Sequence, residues 1–291
     1  MCDEDSISDI IEYQLKSGMS RRSFGALTVG AGLMSLLPRA AGAAVLKEEE
    51  IEISTPDGTA DCYFVHPADG AAPGVLVWPD IFGLRPTFRQ MGRRLAESGY
   101  SVLVVNPFYR TKHAPTSPDN PDFDDPATRA ALMSLAGSLT PQTAVTDARA
   151  FVGWLDTQPS VHKHRKMGTT GYCMGGPFTM RTAAEFPARI GAGASFHGGG
   201  LVTAKPESPH LLIPRMKAHF LIAIAENDDQ RQPDAKNVLR EAFARAKLPA
   251  EIEVYAGTKH GWCPPDSRVY DDAQAERAWS RLLVLFKEAL A

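Results

Sequence analysis

Gly171-Tyr172-Cys173-Met174-Gly175-Gly176 is the stretch of this chain most suited to chemistry. A short apolar run, residues 167–170, leads into it, and a helix-like segment reaching about residue 185 leaves it. That is the G-x-S-x-G nucleophile elbow with sulfur in place of oxygen. A sharp strand-to-helix turn strains the middle residue and lifts its side chain above the sheet. Glycines two positions to either side remove Cβ atoms that would collide there. The helix start contributes the positive end of a dipole, and the N–H of Met174 is placed to receive a developing oxyanion. A free cysteine is often only a small buried hydrophobe, so reading Cys173 as a nucleophile depends on what else the chain supplies.

A thiol nucleophile needs a base, and the base needs an orienting acid. Ala223-Ile224-Ala225-Glu226-Asn227-Asp228-Asp229 reads as a strand ending in acids, and Thr258-Lys259-His260-Gly261-Trp262 places a histidine on the loop after the following strand. The order nucleophile, acid, histidine is that of α/β-hydrolase enzymes. A carboxylate bonded to one ring nitrogen of His260 leaves the other free to exchange a proton with sulfur. Asp228 is the candidate acid, with Asp229 adjacent and able to serve instead. Two further strand ends reach the same edge. Trp78-Pro79-Asp80-Ile81-Phe82-Gly83 follows the first parallel strand, where a second oxyanion N–H normally arises. Asn106-Pro107-Phe108-Tyr109-Arg110 offers a guanidinium for a substrate carboxylate. His197, before a Gly198-Gly199-Gly200 run, is expected on the pocket. Tyr172 and Trp262, beside the nucleophile and the histidine in sequence, complete the candidate substrate-binding set.

These residues must be held by strands and helices in alternation. Residues 51–54 and 62–65 flank the turn-like Pro56-Asp57-Gly58 and predict an antiparallel hairpin. Short apolar runs at 74–78, 101–105, 167–170, 192–196, 219–225 and 252–255, separated by helical segments, predict parallel strands buried on both faces. Thr140 and Pro141 mark a helix start, followed by a stripe of Val145, Ala148, Val152 and Leu155. Residues 88–98 read as another helix, and a last one from about Ala273 carries Ala278, Leu282, Leu285 and Phe286 on one face. The implied architecture is a single doubly wound, mostly parallel sheet of about eight strands with helices on both faces. Residues 111–126 contain four prolines with scattered Asp and no periodicity. They leave the carboxyl edge of the sheet as either a lid or an inert surface excursion.

A formal charge of −3 over 291 residues produces no field able to gather nucleic acid or an anionic membrane. Near the N-terminus, Ser20-Arg21-Arg22-Ser23-Phe24 precedes a weakly polar run, residues 25–37, then Pro38, Arg39 and the small-residue site Ala41-Gly42-Ala43. This is similar to a twin-arginine export signal, and the apolar run is shorter than the ~20 residues that span a bilayer. The reading is therefore an export segment over 1–43 and an enzyme domain over 44–291, periplasmic or secreted, engaging the export machinery and not staying inserted in the membrane. Of four cysteines, Cys2 leaves with the signal. Cys62, Cys173 and Cys263 are odd in number and lack CxxC spacing, which argues against a disulfide framework or a zinc site. The remaining histidines show no ligand spacing, and the glycines around Cys173 belong to the elbow, so neither a metal nor a nucleotide cofactor is called for.

Together Pro79-Asp80-Ile81-Phe82-Gly83, Asn106-Pro107-Phe108-Tyr109-Arg110, Gly171-Tyr172-Cys173-Met174-Gly175-Gly176, Ala225-Glu226-Asn227-Asp228 and Gly257-Thr258-Lys259-His260-Gly261 resemble the dienelactone hydrolase family of cysteine-dependent α/β-hydrolases, over about residues 50–290. The resemblance implies an α/β-hydrolase fold and a Cys173, Asp228, His260 triad. It also implies oxyanion donors at Ile81 and Met174, an acidic residue at Asp80 that contacts the resting thiol, and a carboxylate-holding arginine at Arg110. The chain departs from the family pattern in three places. Pro264 stands where the family's lactone hydrolases have a second arginine, four residues after the histidine. The export signal and the proline-rich excursion are additions. The expected substrate is a small ester or lactone. The competing readings are an esterase or thioesterase of another substrate class, a non-catalytic ligand-binding shell, and a redox role for Cys173 with Cys263.

Overall fold

The computed structural model describes residues 45–118 and 121–291. The export-signal expectation over 1–43 lies outside them. The predicted hairpin is longer than its apolar positions suggested: β1 (Leu46–Thr55) pairs antiparallel with β2 (Gly58–Pro67) around the turn at Gly58. β1 is the sheet edge, and Glu48, Glu49, Glu50 and Glu52 along it disfavour pairing with another chain.

Six parallel strands follow: β3 (Gly74–Trp78), β4 (Ser101–Val105), β5 (Met167–Tyr172), β6 (Ile190–Phe196), β7 (His219–Ala225) and β8 (Ala250–Tyr255). The eight strands lie in the order β1-β2-β4-β3-β5-β6-β7-β8. Strand order reverses at β3, which sits between β4 and β5, so the loops leaving β3 and β5 diverge and open a crevice at their carboxyl ends.

The strands are apolar on both faces because both faces are covered. α1 (Pro86–Glu97) and α7 (Asp272–Ala289) pack Phe88, Leu95, Leu282 and Phe286 against Val75, Val77, Val102 and Val104. On the other face α3 (Pro141–Thr157), α4 (Gly176–Glu185) and α6 (Ala235–Ala246) bring Phe151, Leu155, Met180 and Phe243 onto Leu76, Trp78, Leu103 and Ile252.

α3 begins as its sequence predicts. Thr140 accepts from Thr143 N–H at 3.1 Å and Thr143 Oγ1 accepts from Thr140 N–H at 2.8 Å, a reciprocal cap that contributes about 1 kcal/mol. Of the predicted stripe, Ala148, Val152 and Leu155 are buried and Val145 is partly covered, with Ala144, Asp147 and Phe151 buried beside them. Buried Asp147 is met there by Tyr109 and Arg110. On α7, Leu285 likewise stays half-buried while Ala278, Leu282 and Phe286 are buried. α2 (Pro126–Ala136) is an element the sequence did not signal by periodicity; Asp125 caps it, accepting from Thr128 N–H at 2.7 Å.

Candidate active site

Cys173 stands where β5 ends and a short 3₁₀ turn (Cys173–Gly175) leads into α4. Its φ is 51°, the left-handed region that L residues seldom occupy. The strain persists because the turn has no room to relax. A Cβ on Gly171 would stand 2.2 Å from the Gly175 carbonyl oxygen, and one on Gly175 would stand 2.3 Å from the Trp78 carbonyl oxygen. The β3 and β5 loops thus touch backbone to backbone, and this brings Ile81 onto the cavity beside Cys173. Met174 follows within the turn, at the start of which N–H groups have no intrahelical acceptor.

His260 is reached through two loops stitched together. Asp228 lies not in a turn but in α5 (Glu226–Arg231), a short helix that opens directly on β7, and its Oδ2 is 2.8 Å from His260 Nδ1. Asp229, the adjacent candidate, points the other way and pairs with Lys236 Nζ at 2.6 Å. Asn227 and Glu226, which the sequence reading passed over, fix the backbone of the histidine loop. Asn227 Oδ1 accepts from His260 N–H at 2.8 Å, and Glu226 Oε2 accepts from Gly257 N–H at 2.6 Å. Burial alone would lower the His260 pKa. The charges of Asp228 and Cys173, with hydrogen bonds to both, outweigh it and hold the imidazole well above its ordinary value. A histidine so placed favours the imidazolium.

His197 is the second histidine on this cavity. It follows β6 at φ 40°, its ring centroid 5.1 Å from that of His260, edge to face. Burial, then the nearness of His260, holds its pKa well below the usual value, so it is neutral. Neither ring nitrogen has a hydrogen-bond partner among the described residues.

The acidic residue of the β3 loop is bound to an arginine that the family resemblance did not point to. Asp80 Oδ1 accepts from Phe82 N–H at 2.9 Å and from Arg85 Nη1 at 2.6 Å, and Oδ2 accepts from Arg85 Nη2 at 3.0 Å. Arg85 also donates from Nε and Nη2 to Asp266, at 2.7 and 3.0 Å, and from Nη1 to the Gly83 carbonyl. Both oxygens of Asp80 are thereby turned onto a guanidinium. Sequence reading missed Arg85. A trace of it is the arginine at the N-cap of α1, where Ser, Thr, Asp or Asn is the rule.

Three of the expected substrate-binding residues lie elsewhere. Tyr172 is buried in the core, stacked on Phe196 at 5.0 Å, because the alternation along β5 turns it to the opposite face from the cavity. Trp262 is fully buried and stacked on Tyr255 at 4.7 Å, behind His197 and not on the cavity wall. Arg110 is not among the cavity-lining residues. Its Nη2 is 2.6 Å from both Asp57 and Asp147, and Nη1 is 2.8 Å from Asp147, so its donors hold the β1–β2 turn to α3. Accordingly, Arg110→Ala is expected to cost about 1–3 kcal/mol of stability by leaving Asp147 buried without its cation. The ratio of kcat/KM between carboxylate-bearing and neutral esters should stay within a few-fold of wild type. Urea denaturation and a paired-substrate assay check this, and selective loss of the anionic substrate would return Arg110 to the site.

The proline-rich excursion reaches the cavity. Pro121, Asp122, Phe123 and Asp124 line it, with Phe123 edge-on to Phe82 at 6.2 Å. Arg268, from the segment after the histidine loop, pairs with Asp122 and, at 3.4 Å, with Asp124. Among the described residues no group of three or more His, Cys, Asp or Glu side chains is arranged to hold a metal ion.

An eight-stranded, mostly parallel sheet with a strained residue at the β5 elbow, an acid after β7 and a histidine after β8 defines the α/β-hydrolase class. The model of the dienelactone hydrolase family matches residues 60–290, and the chain belongs to that family. A relative from Salmonella typhi is 28% identical over 231 residues, covering 78% of this chain and 82% of its own. The carboxymethylenebutenolidase of Rhodococcus opacus is 26% identical over 238 residues, covering 80% and 88%. The crystal structure of a Klebsiella pneumoniae protein has the same fold, with a TM-score of 0.73 at 24% identity, covering 84% of this chain and 99% of that one. Membership makes the chain a hydrolase of ester or lactone bonds.

Proposed function

We propose that the protein cleaves a small ester or lactone through a thioester on Cys173. The observation that carries this reading is the elbow cysteine at φ 51° combined with a His260 whose Nδ1 lies 2.8 Å from Asp228. Sγ attacks the carbonyl carbon and the π electrons move to oxygen, which the N–H groups of Ile81 and Met174 receive. When the oxyanion collapses, the C–O bond to the alcohol breaks and His260 gives its proton to the departing oxygen. A water then loses a proton to His260 and attacks the thioester. The C–S bond breaks, the acid leaves, and the thiolate–imidazolium pair is restored. Asp228 holds the ring in one tautomer and balances its charge.

The test is a panel of small esters and lactones given to the purified domain, with mass spectrometry of a slow substrate. An acyl adduct on the Cys173 peptide is expected; turnover with the adduct on Cys263 or on a serine would refute the reading. Ligand binding without turnover would leave the fold as a binding shell.

A second part of the proposal concerns location. The twin-arginine segment and the Ala41-Gly42-Ala43 site support export of the folded enzyme to the periplasm or beyond. Replacing Arg21 and Arg22 by lysine is expected to leave the precursor in the cytoplasm; unchanged periplasmic recovery would remove this part.

A further inference from the structure

Sequence resemblance pointed to a carboxylate-bearing substrate, held by an arginine. The charged groups on the cavity wall point the other way. Four carboxylates, Asp80, Asp122, Asp124 and Asp266, face the space above Cys173, against the two guanidiniums of Arg85 and Arg268.

Arg85 has no donor left for an anion, and Arg268, whose side chain is 42% exposed, is flanked by two carboxylates. Arg85 presents five N–H bonds, and five contacts to Asp80, Asp266 and the Gly83 carbonyl occupy them. Arg268 is shared between Asp122 and Asp124. Each arginine is therefore bracketed by two carboxylates, and each cluster carries a net negative charge. Arg110, the remaining candidate, is spent on Asp57 and Asp147 away from the wall. His197 is a neutral imidazole, and the positive charge of His260, on the same wall, is balanced by Asp228 at 2.8 Å.

We infer that this cavity selects uncharged or cationic esters and disfavours those carrying a carboxylate, with Asp122 and Asp124 of the proline-rich excursion setting the discrimination. An anion entering here meets an excess of negative charge in a partly enclosed space, where screening is weaker than in bulk water. A substrate hydroxyl or ammonium meets the reverse. Asp124 Oδ1 is buried and has no hydrogen-bond partner among the described residues, so no donor offsets the charge on that oxygen. Burial and the neighbouring Asp122 push the Asp124 carboxyl above its usual range, although Arg268 and Arg129 act to lower it. The rest of the wall, Ile81, Phe82, Phe123 and Val269, suits an apolar flank on the same molecule.

The inference deepens the proposed ester hydrolysis and rests on that site, so its test has two readouts. The first compares kcat/KM for p-nitrophenyl esters of matched length, with neutral, hemiglutarate and 4-(trimethylammonio)butanoate acyl groups. The neutral and cationic esters are expected at least ten-fold above the anion in low salt, with the gap narrowing in high salt. The second needs no turnover. Neutral, sulfonate-bearing and trimethylammonium-bearing methanethiosulfonates form a mixed disulfide with Cys173 and release methanesulfinate. Their rates are followed by mass spectrometry on the Cys173 peptide and normalised to a free thiol. The cation-to-anion ratio is expected at least five-fold above that of the free thiol, and Asp122→Asn with Asp124→Asn should bring it down several-fold. A ratio equal to or below the free thiol's, or one that the double variant does not move, overturns the inference. A raised ratio without hydrolysis of any ester sustains the inference and refutes acyl transfer; hydrolysis led by the anionic ester does the opposite.

Discussion

Cys173→Ala is expected to lower kcat/KM on the best ester by roughly four orders of magnitude or more, about 5 kcal/mol of transition-state stabilisation, while the protein stays folded. The side chain is small and close to the cavity, so alanine removes the nucleophile without opening a large void. What survives is the contribution of oxyanion donors and binding. The wild-type thiol should also be reactive at rest. His260 is held above its ordinary pKa by Asp228 and Cys173, and Asp80, whose charge would oppose a thiolate, is bound at both oxygens by Arg85. Alkylation by iodoacetamide should then persist well below the pH near 8.5 at which a free thiol ionises. The checks are steady-state kinetics of the variant and the pH profile of alkylation. Wild-type turnover in Cys173→Ala would end the nucleophile assignment. An alkylation profile like that of a free thiol would show that Arg85 does not quiet Asp80.

Arg85→Met should be the most damaging change to stability at the site, costing about 3–5 kcal/mol in urea denaturation. The guanidinium is buried, and its loss leaves Asp80 buried without a cation. Adding Asp80→Asn and Asp266→Asn should recover part of the loss, since the penalty is chiefly that of uncompensated charge. The pH dependence has a definite sign. Burial would raise the Asp266 carboxyl, but hydrogen bonds and charge from Arg85 outweigh it and lower the pKa. A carboxylate depressed in the folded state stabilises above its unfolded pKa of about 3.9, and that stability is lost as pH falls through the folded value. The wild-type advantage over Arg85→Met should therefore be full near neutrality and shrink below about pH 4. Iodoacetamide should also react more slowly with the variant, because a freed Asp80 charge opposes the thiolate. A loss under about 1 kcal/mol, or an advantage that grows in acid, would contradict this account.

Amino-acid order determined the sheet and pointed to the proposed trio of Cys173, Asp228 and His260, because both are written in local signals. The apolar runs at β3 to β8 follow from burial on two faces and the glycines at 171 and 175 from backbone sterics, while Cys173, Asp228 and His260 each stand at or just after a strand end. Tertiary structure alone decided how charges paired. Asp228 rather than Asp229 meets His260 because α5 starts directly on β7 and sends successive side chains in different directions. Arg110 stands at the expected strand end yet faces Asp147, two helices onward in the chain, so neither its position nor its neighbours revealed its partner. Arg85 joins Asp80, five residues before it, to Asp266, 181 residues after it, and the lining Asp122 and Asp124 find Arg268 across a comparable span. Ion pairs leave no periodicity along a chain; only packing brings such distant groups within reach, and at this site the packing sets the charge that a substrate meets.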